Sequence, residues 1–350
     1  MSGRERLKSV AVVGAWAALV WIAYRREDNR RRKRGSEETD RSACLKTKKR
    51  WKDILTAFTV ENGAVWIATL LRLKIFGARA AQKTWMAKMV NMIGSAIFVD
   101  RSLQLSARAA SQYIYRDIPH FSVKRTPKQS MWEATKEFFN MTVVSSVLVS
   151  AFIVYFRIGE KRNGRPLSNW SLRNDLKRFD LVTFLGKLAL TRTVVDALFW
   201  IGHKVIHTKR LYAPIHKYHH EHGNPRITTN QHFTIADFWI EALLPIIAGV
   251  ASVQSTFAVV SPFEEALLGA YIVWLEACSH AGKPLPCSSM LAPLAPVYNE
   301  LLGMDWDRRN VEFHQTHHEI LNCNFSITQW PDNLFGTTKW ERSKRRAKRR

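Results

Sequence analysis

Nine of the twelve histidines fall into three tight groups and one outlier. The groups are His203 and His207 (H-x-x-x-H), His216, His219 and His220 (H-x-x-H-H), and His314, His317 and His318 (a second H-x-x-H-H); His280 stands between the last two. Imidazole is the commonest protein ligand for transition metals. Spacings of three and four place side chains on one helical face, a turn apart, so each group is expected to aim its nitrogens at a single point. Nine imidazoles exceed what one ion uses, since zinc takes four ligands, or three and a water. A pair of ions is the natural count. The bland alternative, separate histidines each satisfied by a local hydrogen bond, suits scattered residues better than clustered ones. Nitrogen donors with open positions suit iron that must bind and activate oxygen. The near-absence of thiolate and carboxylate argues against a zinc ribbon and against ferritin-like sites built on Glu and Glu-x-x-His.

Other residues are placed to support those ligands. Asp196 precedes His203 by two helical turns and could fix an imidazole tautomer; a salt bridge to Arg192, one turn earlier, is the competing role. Glu276 lies one turn before His280, as a carboxylate behind that ligand or as a solvated side chain. His222 and His232 are open between extra ligand and outer partner. His120, alone in RDIPHFS, reads as a loop histidine.

Such ligands need rigid carriers, and the apolar segments supply them. Leu181–Gly202 leads into His203 and His207 but contains Lys187, Arg192 and Asp196, ionisable groups that at membrane depth face a bundle interior or a cavity. Ala236–Val260 and Phe263–Cys278 read as a hairpin of spans turning at Ser261-Pro262, the second delivering His280; Glu241, Glu264, Glu265 and Glu276 sit awkwardly in it. A helix starting near Pro214 is expected to carry His216, His219 and His220 on one face. Phe138–Phe156 is a clean apolar run of spanning length, and Ile54–Leu71 is a span or an interfacial helix. Residues 9–24 form a short apolar run, read as a membrane anchor with a cleaved targeting peptide as alternative. Helix ends emerging from a membrane would place the histidine groups in one layer. The expected architecture is all-α: a multi-pass transmembrane helical bundle with a cytosolic histidine-rich di-metal cap. Its divisions are an anchor or targeting segment (1–26), a basic disordered linker (27–52), a membrane-associated helical region (53–135), a catalytic domain (136–338) and a basic tail (339–350).

The net charge of +24 would suit a nucleic-acid binder, but residues 1–52 carry +10 of it and residues 339–350 carry +7. Basic flanks beside apolar segments fit the positive-inside rule and anionic headgroups, and no nucleic-acid recognition fold accompanies them. Cys44, Cys278, Cys287 and Cys323 show no C-x-x-C spacing and read as reduced thiols facing a cytosol. The sequons at Asn140, Asn169 and Asn324 read as chance matches.

As a set, the motifs resemble the fatty acid hydroxylase and sterol desaturase superfamily. They are Asp196 with His203 and His207; Leu211-Tyr212 with His216, Lys217, His219 and His220; Ser279–Gly282; His314–His318; then Asn324-Phe325 and Asp332–Thr337. The resemblance covers residues 180–338. It implies an endoplasmic reticulum membrane protein with a cytosolic site for two iron ions, O2 as co-substrate, and electrons from NAD(P)H through a separate reductase and b-type cytochrome. The implied activity is hydroxylation or desaturation of a membrane lipid: a sterol, fatty acyl chain or sphingoid base. A plastid membrane is the rival location. A zinc-dependent membrane hydrolase and a non-catalytic membrane scaffold are the alternative functions.

Overall fold

Ser261-Pro262 breaks two apolar stretches, and the chain turns there. In a computed structural model that describes residues 3–32, 51–78, 82–121, 170–257, 260–286 and 306–339, with scattered residues between 130 and 151, the regular structure is helical throughout. The elements that matter here are α1 (Gly3–Arg32), α2 (Trp51–Phe76), α3 (Trp85–Ala109), α4 (Leu172–Arg178), α5 (Leu181–Ile206), α6 (Ile235–Thr256), α7 (Pro262–Ser279), α8 (Trp306–Glu319) and α9 (Trp330–Phe335). The all-α expectation therefore holds for the described residues. Among them, one helix, α6, is long and apolar enough to cross a membrane. Most of the apolar run Phe138–Phe156, most of the 27–52 linker, most of the 284–304 loop, Cys44, Cys287, Asn140, Asn169 and all but the first residue of the basic tail lie outside the described residues.

Helix α7 is central, and its sequence explains why it starts where it does. Pro262 occupies the first turn, where its missing N–H costs nothing. Ser261 Oγ accepts from the Glu264 amide at 3.2 Å while a Glu264 oxygen accepts from the Ser261 amide at 2.8 Å, a reciprocal capping box. The other Glu264 oxygen accepts from Lys187 Nζ at 2.7 Å, and both side chains are buried. Two of the ionisable residues that sit awkwardly in apolar segments thus answer each other across α5 and α7.

The same helix carries the core. Phe263, Leu267, Tyr271 and Trp274 are fully buried against Val65 and Leu73 of α2, Leu103 of α3 and Phe184 and Leu188 of α5. Each such side chain contributes about 1.5–3 kcal/mol by leaving water. Tyr271 also donates its hydroxyl to Asn62 Oδ1 at 2.5 Å, fixing α7 to α2.

Helix α1 runs from Gly3 to Arg32, past the expected boundary at residue 26, and packs along α5 and α9. Gly186 makes this possible: a β-carbon there would lie 2.6 Å from the Ser9 backbone. Trp16 is buried against Ala189 and Trp330, Arg6 pairs with Asp180, and Lys8 Nζ donates to the Thr256 carbonyl at 2.9 Å.

One element differs from expectation. No regular helix starts at Pro214. Residues Tyr212–His216 form a π turn and His219–Glu221 a 3-10 turn.

Candidate metal centre

The nine histidines meet as two sets. His203, His207, His216, His220 and His317 place one nitrogen each within 4.8 Å of the others, and so do His219, His280, His314 and His318. In the first set, Nε2 of His203 lies 3.1 Å from that of His216 and 3.2 Å from that of His207. His220 Nε2 lies 3.1 Å from those of His216 and His317. In the second, His314 Nε2 is 2.8 Å from that of His280 and 3.2 Å from that of His318. Nitrogens bound side by side to one ion at about 2.1 Å lie about 3.0–3.4 Å apart, so these separations fit ligands converging on a cation.

Each H-x-x-H-H motif is divided between the sets, against the expectation that a group aims at one point. Adjacent helical residues point about 100° apart. On α8, His314 and His318 share a face and enter the second set, while His317, one position off that face, enters the first. In the uneven 212–221 segment, His216 and His220 enter the first set and His219 the second.

Backbone carbonyls and one carboxylate orient the rings. Nδ1 of His203 donates to the Phe325 carbonyl at 2.6 Å, and Nδ1 of His317 to that of Cys323 at 2.7 Å. His219 uses the His232 carbonyl at 3.2 Å and His280 the Glu276 carbonyl at 2.8 Å. His216 Nδ1 donates to Asp237 Oδ2 at 2.8 Å. A ring that gives its Nδ1 proton to such an acceptor keeps a lone pair on Nε2, the tautomer a metal requires. Burial reinforces this by disfavouring the imidazolium. It pushes His280 and His317 down to about 4, and it holds His216, His219, His220, His314 and His318 well below the usual imidazole range, with neighbouring imidazoles adding to the effect. Buried neutral nitrogens aimed at common points fit a pair of metal ions.

Asp196 and Glu276 act differently from either role expected of them. Asp196 is buried and accepts from the Ile327 amide at 2.8 Å, the Thr328 amide at 3.3 Å and the Thr328 hydroxyl. It reaches His203 only through that loop, by way of Phe325. Arg192 donates to the Tyr271 carbonyl at 2.7 Å. Asp332 holds the same loop from the other side, accepting from the Phe325 amide at 3.0 Å and the Ser326 amide at 2.6 Å. Glu276 serves His280 through its backbone carbonyl, and its carboxylate stands on a cavity wall. Asn324 is buried, its Nδ2 donating to the Phe313 carbonyl at 3.2 Å, which leaves that sequon closed to a glycan.

His222 and His232 enter neither set. Their rings stack at 4.0 Å, and His232 contributes its carbonyl to His219. His120 sits in a loop beside Gly282. Nothing in the sequence marks Asp237 as a site residue, and Glu241 stands out there only as an awkward residue in a span. They stand four apart on an apolar helix, the one signal that could have marked a shared polar face.

A cavity of about 420 Å³ opens beside the histidines. His203, His219, His280 and His314 form one end, and Val195, Phe199, Phe233 and Ile272 are among its apolar walls. This size and lining suit a largely apolar ligand.

Comparison with known proteins agrees with this geometry. The family model for fatty acid hydroxylase matches residues 188–337, which hold all nine histidines. The chain is 26% identical over 212 residues to methylsterol monooxygenase 2-1 of Arabidopsis thaliana, covering 56% of this chain and 67% of that protein. It is 28% identical over 198 residues to very-long-chain aldehyde decarbonylase GL1-8 of Oryza sativa subsp. indica, covering 53% and 59%. It is 26% identical over 155 residues to fatty acid hydroxylase domain-containing protein 2 of Homo sapiens, covering 44% and 39%. The chain thus spans from about two fifths to about two thirds of the length of these curated relatives. No solved structure matches it. Residues 188–337 thus resemble the fatty acid hydroxylase family, and the homologues indicate an oxidoreductase.

Proposed function

We propose that the protein is a membrane-bound di-iron oxygenase that hydroxylates or desaturates a lipid, drawing on O2 and two electrons. The observation that carries this reading is the junction of two convergent histidine sets with the end of an apolar cavity. The names of its relatives, a methylsterol monooxygenase and an aldehyde decarbonylase, support a lipid substrate.

His203, His207, His216, His220 and His317 would hold one iron, and His219, His280, His314 and His318 the other. When bound, the irons supply an oxidant strong enough for an unactivated C–H bond. The chain supplies the rest. Val195, Phe199 and Ile272 position an apolar substrate and keep water from the reacting carbon. The carbonyls of Phe325 and Cys323 and the Asp237 carboxylate hold the ligand nitrogens in place, so that no reorganisation is needed during turnover.

Helix α6 would cross the membrane, with α5 and α7 beside it as a multi-pass bundle, and the metal centre would lie at the cytosolic boundary. Large exposed apolar side chains on α2, α3 and α6, including Ile67, Leu71, Ile75, Val90 and Leu244, support a lipid-facing exterior. The endoplasmic reticulum is the proposed location, and a separate reductase and b-type cytochrome the electron donors.

Metal analysis and turnover of the purified protein test the reading. Iron with O2-dependent conversion of a sterol, fatty acyl or sphingoid lipid supports it, and a long-chain aldehyde assayed alongside separates the decarbonylase activity. Zinc with O2-independent turnover would make the protein a hydrolase. Full activity in a His219→Ala or His317→Ala variant would exclude the histidine site altogether.

A further inference from the structure

We propose that the cavity recognises the hydroxyl group of a lipid alcohol through Ser95 on α3 and Asn230 on the turn before α6. This rests on the oxygenase reading in taking the cavity as the substrate pocket, and it adds the head group selected there. Met92, Ser95, Ala96, Val99 and Asp100 line the cavity. Their spacing of three and four is one face of a helix, so that face of α3 forms a wall. Ser95 is 4% exposed, and its hydroxyl has no hydrogen-bond partner in the protein. Other hydroxyls on these helices satisfy themselves one turn back. Thr69 donates to the Val65 carbonyl, Ser106 to that of Ser102 and Thr191 to that of Lys187, each at 2.8 Å. Ser95 does not, and a buried hydroxyl left unpaired is costly.

Asn230 faces the same cavity, and its Oδ1 is buried without a donor. Its neighbour Gln231 donates to Asp100 and accepts from Arg101 Nη2 at 2.8 Å. Those bonds pin the 3-10 turn Ile227–Gln231 against α3. The two open atoms select the head group. A hydroxyl carries one donor and two acceptor lone pairs, so it can give its proton to Asn230 Oδ1 or receive that of Ser95. Both partners are uncharged, and a neutral group satisfies them without burying a bare charge. The carboxylate beside them, Asp100, is already engaged by Gln104, Gln231 and Arg101, which leaves no counter-charge there for an ammonium group. A carboxylate ligand would meet Asp100, Glu265 and Glu276 around the cavity, against one arginine, Arg72, among the described residues. Ser95 lies outside residues 188–337, so this contact belongs to the chain's own α3 and not to the segment that resembles the family.

Equilibrium binding to the purified full chain tests the assignment without turnover. The probes are octadecanol with its methyl ether, octadecane, octadecanoate and octadecylamine, and cholestanol with its methyl ether and cholestane. On at least one scaffold the alcohol should bind about 10-fold tighter than its methyl ether. Ser95→Ala should weaken that alcohol about 3- to 10-fold and leave the matching alkane unchanged. Asn230→Ala should narrow the gap between alcohol and ether. Alcohols that bind no tighter than their ethers overturn the proposal whether or not the variants fold. So does tighter binding of octadecanoate or octadecylamine than of either alcohol, which would assign the cavity to a charged head group. Unchanged alcohol affinity in Ser95→Ala overturns it too, as does an equal loss of alcohol and alkane, the mark of a merely structural serine. Preferential alcohol binding with these responses, in a protein that shows no O2-dependent turnover, would overturn the oxygenase reading and leave the hydroxyl subsite standing.

Discussion

Asp196 on α5 accepts the backbone amide of Ile327 at 2.8 Å across 131 residues of sequence. That bond sets the loop whose Phe325 carbonyl orients His203. A carboxylate two turns from His203 thus controls that ring by holding a third element. Replacing Asp196 with alanine should cost about 2 kcal/mol, the worth of hydrogen bonds to a charged group, and should weaken metal binding by about 10- to 100-fold. Chemical unfolding and metal titration measure the two effects. Unchanged metal affinity would show that the loop holds its shape without Asp196.

The divided motifs make an unusual prediction about neighbouring residues. His317→Ala should weaken the first metal site, and His318→Ala, one position on, the second. Each variant should retain one strongly held equivalent, and the two should differ in spectrum after cobalt loading. Identical spectra would mean that the motif serves a single ion.

Acid should destabilise the metal-free protein in a defined window. His280 and His317 have folded pKa values of about 4 against 6.5 for ordinary imidazole. A lowered histidine pKa means that the unfolded chain binds the proton first. Stability is therefore complete above about pH 6.5, falls as the pH drops below it, and stops falling from this cause near pH 4. The loss is on the order of 3 kcal/mol per ring. Unfolding midpoints of the metal-free protein, measured between pH 7 and pH 4, check both sign and range.

Gly186→Ala should displace α1. The new methyl would meet the Ser9 backbone at 2.6 Å, an overpacking cost of typically about 1–3 kcal/mol. Proteolysis should then cut within residues 3–32 faster than in the unmutated protein. Equal protection would mean that α1 is held elsewhere, for instance by Trp16.

The convergence of the nine histidines was legible because imidazole spacing is itself a chemical signal. Their division was not: at 212–221 it follows π and 3-10 turns whose course nothing in Pro214–Glu221 announces, and on α8 it follows the 100° between neighbouring helical residues that the spacing treats as one face. The carbonyls of Cys323, Phe325, His232 and Glu276 were hidden for a simpler reason: every residue has one, so sequence cannot mark those that matter. Asp196 was visible as a residue but not as a contact, since its partners lie more than a hundred positions away. Asp237 and Glu241 were masked by the apolar stretch around them. The all-helical class followed from the long apolar segments, and Lys187 and Glu264, awkward singly, resolve as a pair only when α5 and α7 are side by side.

The seating of Trp16 against Trp330 gives the fold a seam. Helix α1 opens the described chain, and α9 stands almost at its end. The last segment also carries the carbonyls that aim His203 and His317. Trimming from the amino side and trimming from the carboxyl side would therefore unzip the same junction, leaving one common wound beside the metal centre. Damage at either extremity becomes a fault in the same pair of ligands, although hundreds of residues separate the two cuts.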